Sequence, residues 1–529
     1  MPARLTTALA LLAALLASCT GPPPDAYVHG TSRSGQAASI GRNAAGEACV
    51  GQPAGAAELD IFCGTWVQPS AHVGRAQPGS PTELTAFATS GPWRTGLERR
   101  FLCGPPTTTS ILGGSAAVVL QCTRRVGGWP QVALAADVGG TAYYADGILP
   151  ALPVMERGIG VLSGRIQPGG PAPASEVDTL FAARLAAQAF SSGDIGHYDD
   201  LMTAGTIANL AENYAAAEQA FRAALELQRK ALGADDPNTV NALMHLALQI
   251  SDQGRYSEAD ALFARAERLA PQAADRTAPG RLLHYRALHA LNQGHDQEAL
   301  ALIQAAEAAY AAQLPPEMLR ETAPPAPRNS AIRTDRMPPE VAAARQFLIE
   351  PQQRSALMGL MEARRYRAIV LRDLNRPAES EAALRSASGL AAANGLRQPI
   401  LTARLFRTAG ATAGAVGATG EAVSGLGRSA AEFRLALPGA RPVAETDLLR
   451  ADQLSREGRA EDALAACHDA VSLLRRLHAG MRPALLEPCL NIYAAQAEAK
   501  LAEKQRLLGE MFEACLLYTS DAADDLTRV

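Results

Sequence analysis

The stretch GRYSEADALFARA, Gly254 to Ala266, decides how most of this 529-residue chain is read. A turn residue, Gly254, is followed by Tyr256, then a small residue at Ala259, a large one at Phe263 and a small one at Ala266, with Pro271 closing the segment. Residues three and four apart share one face of a helix, so this spacing predicts a single packing stripe. Small residues on the stripe let a second helix approach closely, and the large one fills the gap to a further neighbour. The same order recurs in NYAAAEQAFRAAL, Asn213 to Leu225, through Ala217, Phe221 and Ala224, and again in GHDQEALALIQAA, Gly294 to Ala306. Upstream of Gly254, Ala247 and Ile250 place a partner helix with its own apolar face. The chain from Ser175 to Ala514 therefore reads as a repeat of helical hairpins.

The repeated pattern resembles the tetratricopeptide repeat (TPR), which implies a mainly α fold, an α-solenoid of about six to seven hairpin units. Units start near residues 198, 240, 280, 361, 403 and 444. The first spacing, 240 − 198 = 42, exceeds the roughly 34 residues of the standard unit. The excess lies in QRKALGADDPNTVNAL, Gln228 to Leu243, which resembles the long second helix and following loop of kinesin-light-chain-type TPRs. The fourth unit carries Pro377 and Ser380 where an aromatic and an alanine are preferred, and the fifth, Ala409 to Ala430, is Gly-rich and reads as a loose repeat. A Pro-rich insertion, 314–340, separates units three and four. The resemblance implies a concave groove for a protein or peptide partner. Position in the repeat puts Thr206, Asn209, Asn241, Met244, Leu248, Arg281 and His284 in that groove.

The N-terminal third is different. MPARLTTALALLAALLASCTG has a basic start, a short apolar run and then small residues, the order of a secretory signal. Leu16-Ala17-Ser18-Cys19 resembles the lipobox of bacterial lipoproteins, which implies cleavage after residue 18, lipidation of Cys19 and a place on the outer membrane facing the periplasm. Residues 19–45 read as a flexible tether rich in Gly, Pro and Ser, 46–165 as a small β-rich domain holding Trp66, Trp93 and Trp129, and 166–175 as a linker. Within that domain Ala117 to Gly147 alternates apolar runs with Gly127-Gly128 and Gly139-Gly140, predicting a three-stranded antiparallel meander. Export permits disulfides. Cys49, Cys63, Cys103 and Cys122 allow three pairings, of which loop length favours Cys49–Cys63 with Cys103–Cys122. Cys467 and Cys489 fall in predicted helices and read as small buried thiols.

Nothing in the sequence assembles a nucleophile, a base and an orienting group, so the chain reads as non-catalytic, with no cofactor and no metal site. The formal net charge of −4 and the absence of a basic run argue against nucleic acid as a partner. CLLYTSDAADD, Cys515 to Asp525, resembles a translated sequencing adapter, which implies that 515–529 is artefactual. The preceding run LAEKQRLLGEMFEA, Leu501 to Ala514, resembles the lead into a CHAT domain, a caspase-like fold carrying a His/Cys pair. On that resemblance the chain is the recognition arm of a CHAT-type peptidase; the alternative is a complete scaffold lipoprotein that helps assemble an envelope complex.

Overall fold

The computed structural model describes residues 38–513, apart from 56, 65–67, 78–82, 169, 171–180, 182–189, 322–348, 397, 479–480, 482 and 496–504. Cys19, Trp66, the linker from 171 onward and the tail 515–529 lie outside the described residues. Two compact bodies divide the chain: one runs to Leu201 and takes in Ala224–Thr239, and the other comprises Met202–Ala223 and everything from Val240.

The first body is built on one eight-stranded antiparallel sheet. Its strands are β1 (Ala38–Arg42), β2 (Ala48–Gly55), β3 (Glu58–Cys63), β4 (Ala71–Arg75), β5 (Phe101–Ile111), β6 (Ser115–Arg124), β7 (Pro130–Asp137) and β8 (Ala142–Ile148). They run in the order β1-β2-β3-β4-β8-β7-β6-β5. The expected meander is β6-β7-β8, turned at Gly127-Gly128, both at positive φ. β1 is a correction: it falls inside the stretch 19–45 that composition assigns to a tether. Helices α1 (Leu84–Thr89), α2 (Pro92–Arg100) and α3 (Leu152–Leu162) were not foreseen in a segment read as β-rich. Tyr144 lies over Gly74 and packs at a tilt against Phe87 and Trp93, whereas Gly158 of α3 abuts Val73. Adjacent strand residues point to opposite faces, so α1 and α2 cover one side of the sheet and α3 the other. Cys49 pairs directly with Cys63 across β2 and β3, and Cys103 with Cys122 across β5 and β6; each pair is a disulfide.

From Ser192 onward helices come in antiparallel succession, the first hairpin divided between the two bodies and the other five within the second. The hairpins are α4 (Ser192–Leu210) with α5 (Tyr214–Leu232), α6 (Val240–Asp252) with α7 (Tyr256–Leu269), α8 (Ala278–Asn292) with α9 (Asp296–Ala311), α10 (Pro351–Asp373) with α11 (Pro377–Ala393), α12 (Pro399–Ala415) with α13 (Thr419–Ala436), and α14 (Arg441–Arg456) with α15 (Ala460–Arg476). Helix α16 (Pro483–Ala495) and a last helix over 505–513 follow. No described helix is long and apolar enough to cross a membrane.

Each hairpin turns in the same way. The residue two before the second helix is Glu212, Gly254, Gly294, Asn375, Gly417 or Gly458, and every one has positive φ. The next residue donates its N–H back into the first helix, as Arg255 does to the Ile250 carbonyl at 3.2 Å, closing the helix end in the left-handed manner that glycine and asparagine favour. Glu212 is the exception in side chain.

The small-residue stripe holds through all six units. Three residues into each second helix stand Ala217, Ala259, Ala299, Ser380, Ala422 and Ala463, all fully buried. Ser380 fits the alanine-sized slot because its hydroxyl donates to the Ala368 carbonyl at 2.7 Å. Four residues on come Phe221, Phe263, Ile303, Leu384, Leu426 and Cys467, with Ala224, Ala266 and their counterparts beyond them. Cys467 is smaller than its counterparts, and its sulfur is bonded to Cys489 on α16, with the Cα atoms 5.7 Å apart. The bridge stands where a large side chain would fill the space to the next helix, and it corrects the reading of two buried thiols. The fifth unit is likewise not loose. A Cβ on Gly425 would meet the Gly410 backbone at 3.3 Å, so its glycines serve close approach of α12 and α13. Of the 314–340 insertion, Pro316–Leu319 forms a single 3-10 turn.

Candidate functional site

The first helices of the six hairpins wall one cavity of about 750 Å³. Asn209 comes from α4, Leu248 and Asp252 from α6, Arg281, His284 and Leu288 from α8. Glu362, Arg365 and Tyr366 come from α10, Arg404 and Arg407 from α12, and Arg441 and Glu445 from α14. The wall is mostly charged and hydroxylic, with Leu248, Leu288, Leu291 and Met358 as apolar patches.

The charged groups interlock. Arg281 donates to Asn241 and Asp275 through Nη1 and to Thr277 and Ser355 through Nη2, at 2.5–3.1 Å. Glu362 accepts from Arg365 Nε at 2.7 Å and from Arg404 Nη1 at 3.3 Å, so two guanidinium groups share one carboxylate. Arg407 donates to Glu445 at 2.7 Å and reaches back across the cavity to Glu212, at the turn of the first hairpin, at 3.4 Å. Arg365 lies 4.0 Å over the Tyr366 ring, and His284 meets Tyr366 edge-on at 5.5 Å. His284 Nε2 is buried without a hydrogen-bond partner among the described residues.

A family model for the tetratricopeptide repeat matches residues 201–272, the first two hairpins. The second body is a solenoid of helical hairpins, the first two of which fit that repeat by sequence. Its structural likenesses include BtubC (BKLC) from P. vanneervenii, at 12% identity over 52% of this chain and 94% of that one, with a TM-score of 0.33. They also include a putative kinesin light chain of Podosopora anserina with nearly identical TPR-like repeats, at 15% identity over 46% and 97% of the two chains and a TM-score of 0.30. A third is the TPR2AB domain of yeast Sti1 in complex with an HSP90 peptide, at 14% identity over 60% and 98%, with a TM-score of 0.21. No curated protein matches the chain significantly.

The solenoid brings together four of the seven residues expected in the groove: Asn209, Leu248, Arg281 and His284 line the cavity. Three are corrections. Met244 is fully buried in the packing between helices, Thr206 is exposed and turns its hydroxyl to the Met202 carbonyl, and Asn241 is spent on Arg281. Arg281 itself is engaged on all sides, tying α6, α8 and α10 together. The charged half of the wall was missed, though the register contains it. Arg281 and His284 stand one and four residues after the third start, near 280; the same offsets from 361 and 403 give Glu362, Arg365, Arg404 and Arg407.

Burial sets the protonation of the wall. It drives Glu212 from its ordinary 4.5 up to about 7, helped by Glu445 and opposed by Arg407 and Arg441. Burial likewise lifts Asp252 to about 7, against a hydrogen bond from Asn292 and the charge of Arg404. At Glu362 burial also pushes upward, but Arg365 and Arg404 outweigh it and hold the carboxyl at about 2. His284 is lowered to about 4 by burial, so it is neutral at pH 7.

These shifts make a signed prediction. The Glu212 proton is held more tightly in the folded chain, so its stabilisation is full below 4.5 and is lost as pH rises through about 7. His245 and His284, lowered to about 3 and 4, act in the opposite sense over an overlapping window, so a single variant must be compared with wild type. Glu212→Gln cannot titrate. Relative to wild type, its urea-unfolding free energy is expected to rise by on the order of 2 kcal/mol between pH 5 and pH 8. A difference that stays flat over that range would remove Glu212 from the buried cluster.

Proposed function

We propose that this chain is a protein-interaction module whose TPR solenoid grips a segment of a protein partner in its concave cavity. The observation that carries this reading is the single cavity walled by the first helix of every hairpin, with apolar patches beside fixed charges. Apolar anchors supply burial, and the arginines and carboxylates supply orientation and selectivity. Leu288 stands in the wall, partly accessible, and does not belong to the stripe that holds the helices together. Peptides selected on the immobilised wild-type protein from a displayed library are expected to lose at least about tenfold in affinity for Leu288→Asp, with its helical circular dichroism unchanged. Undiminished affinity in the folded variant would place the partner elsewhere.

We further infer that the module works in the cell envelope, held by a lipid on Cys19 and facing the periplasm. Three cystine bridges, Cys49–Cys63, Cys103–Cys122 and Cys467–Cys489, support an oxidising compartment. Labelled palmitate is expected to enter the wild-type chain in a bacterial host and to be absent from Cys19→Ala; equal labelling would rule the anchor out. The solenoid as recognition arm of a CHAT-type peptidase is supported by the resemblance of Leu501 to Ala514. An uninterrupted gene is then expected to encode a His/Cys-bearing domain beyond the codon for Ala514, and a stop soon after it would favour the scaffold reading.

A further inference from the structure

Glu212 is out of place as a turn residue and well placed as a ligand. At its position the other five hairpins use four glycines and Asn375, because the backbone there is left-handed; Glu212 has φ 58°. A glutamate pays a backbone penalty at such a position, so its side chain is the reason to look for a role. That side chain crosses to α12 and α14, 195 residues away in sequence at Arg407. The fit is loose. Its carboxylate stands 3.4 Å from both Nη atoms of Arg407 and 3.8 Å from Arg441 Nε, whereas Arg407 and Glu445 meet at 2.7 Å. Charge-assisted hydrogen bonds of this type settle near 2.7–2.9 Å. Arg441 Nε is buried and has no hydrogen-bond partner among the described residues. Glu212 thus stands between two arginines without a close contact to either.

We propose that the Arg407–Arg441 fork is a binding site for an acidic side chain of the protein partner, and that Glu212 occupies it until the partner's carboxylate displaces it. The proposal rests on the reading of the cavity as the partner site. The charged and titratable groups facing the fork include Glu445 on α14, Arg365 and Tyr366 on α10, and Tyr214 at the start of α5, raised well above its usual range by burial and by Glu212, Asp252 and Glu445. Glu212 joins the first hairpin to the fifth and sixth, and its release gives up that link. An incoming carboxylate gains closer contacts to Arg441, and Glu212, once released, regains water. Its apparent affinity is reduced by the fraction of molecules in which Glu212 holds the fork.

The test uses the full chain and acetyl-tetraglutamate amide, which has no free terminal carboxylate, in titration calorimetry at pH 8, with the tetraglutamine analogue as the neutral control. Glu212→Gln is expected to bind the acidic peptide about tenfold more tightly than wild type. Asp252→Asn removes one cavity carboxylate away from the fork and is expected to leave the affinity within about twofold. Arg441→Gln, added to Glu212→Gln, is expected to abolish the gain. If that variant does not fold by circular dichroism, Arg441→Lys, which keeps the charge but loses the fork, is expected to lose most of it. Unchanged affinity in Glu212→Gln, equal tightening in Asp252→Asn, or full retention in a folded Arg441 variant would each overturn the proposal. Tightening toward inorganic phosphate with none toward the peptide would assign the fork to a free anion and overturn the partner assignment. Leu288→Asp reports on the cavity independently, so loss of peptides there with no effect at Glu212 would sink the fork alone.

Discussion

An alanine-sized contact, repeated six times, is the constraint on which the solenoid depends. Ala217, Ala259, Ala299, Ser380, Ala422 and Ala463 have no accessible surface, and each stands where the second helix of a hairpin meets its neighbours. A larger residue at any of them would force the helices apart, at a typical cost of about 1–3 kcal/mol. The longer apolar residue four positions on then fills the wider gap, and burial of each such side chain contributes about 1.5–3 kcal/mol. Unequal spacing on the two sides of the array is what bends it. The first helices of all six hairpins line one cavity.

Inside the bend, packing gives way to electrostatics. Each wall position is one register step from its counterpart in the next unit, so charges from distant parts of the sequence come face to face. Glu362 receives Arg365 from its own helix and Arg404 from the next hairpin; Arg407 receives Glu445 from the next hairpin and Glu212 from the first. Buried pairs of this kind contribute little net stability once desolvation is counted. Their value lies in holding guanidinium groups at fixed places.

Local patterns were legible and distant encounters were not. The hairpins from Tyr214 to Arg476 follow from the spacing of Gly254, Ala259, Phe263 and Ala266, because helix packing is written at three- and four-residue intervals. The meander β6-β7-β8 and the cross-strand pairs Cys49–Cys63 and Cys103–Cys122 were equally local. Met244 was misplaced because a helix wedged between two others buries more than one face, and repeat position alone does not say which. The Gly-rich fifth unit looked loose since composition does not distinguish a glycine that frees the backbone from one, such as Gly410, that admits a neighbour. The contact of Glu212 with Arg407 depends on the accumulated curvature of six units, which no short window of sequence contains.

The Cys467–Cys489 bridge bears on how such an array comes apart. Stacked repeats gain stability from their neighbours, so the end units, with a neighbour on one side only, are the first to fray. Here the final full hairpin is fastened covalently to α16, across the one junction where the repeat supplies no bulky apolar residue. While that bond is intact, unzipping from the C-terminal side cannot separate these two helices, and loss of order must start at another junction. Oxidation state thus decides whether α15 and α16 can part.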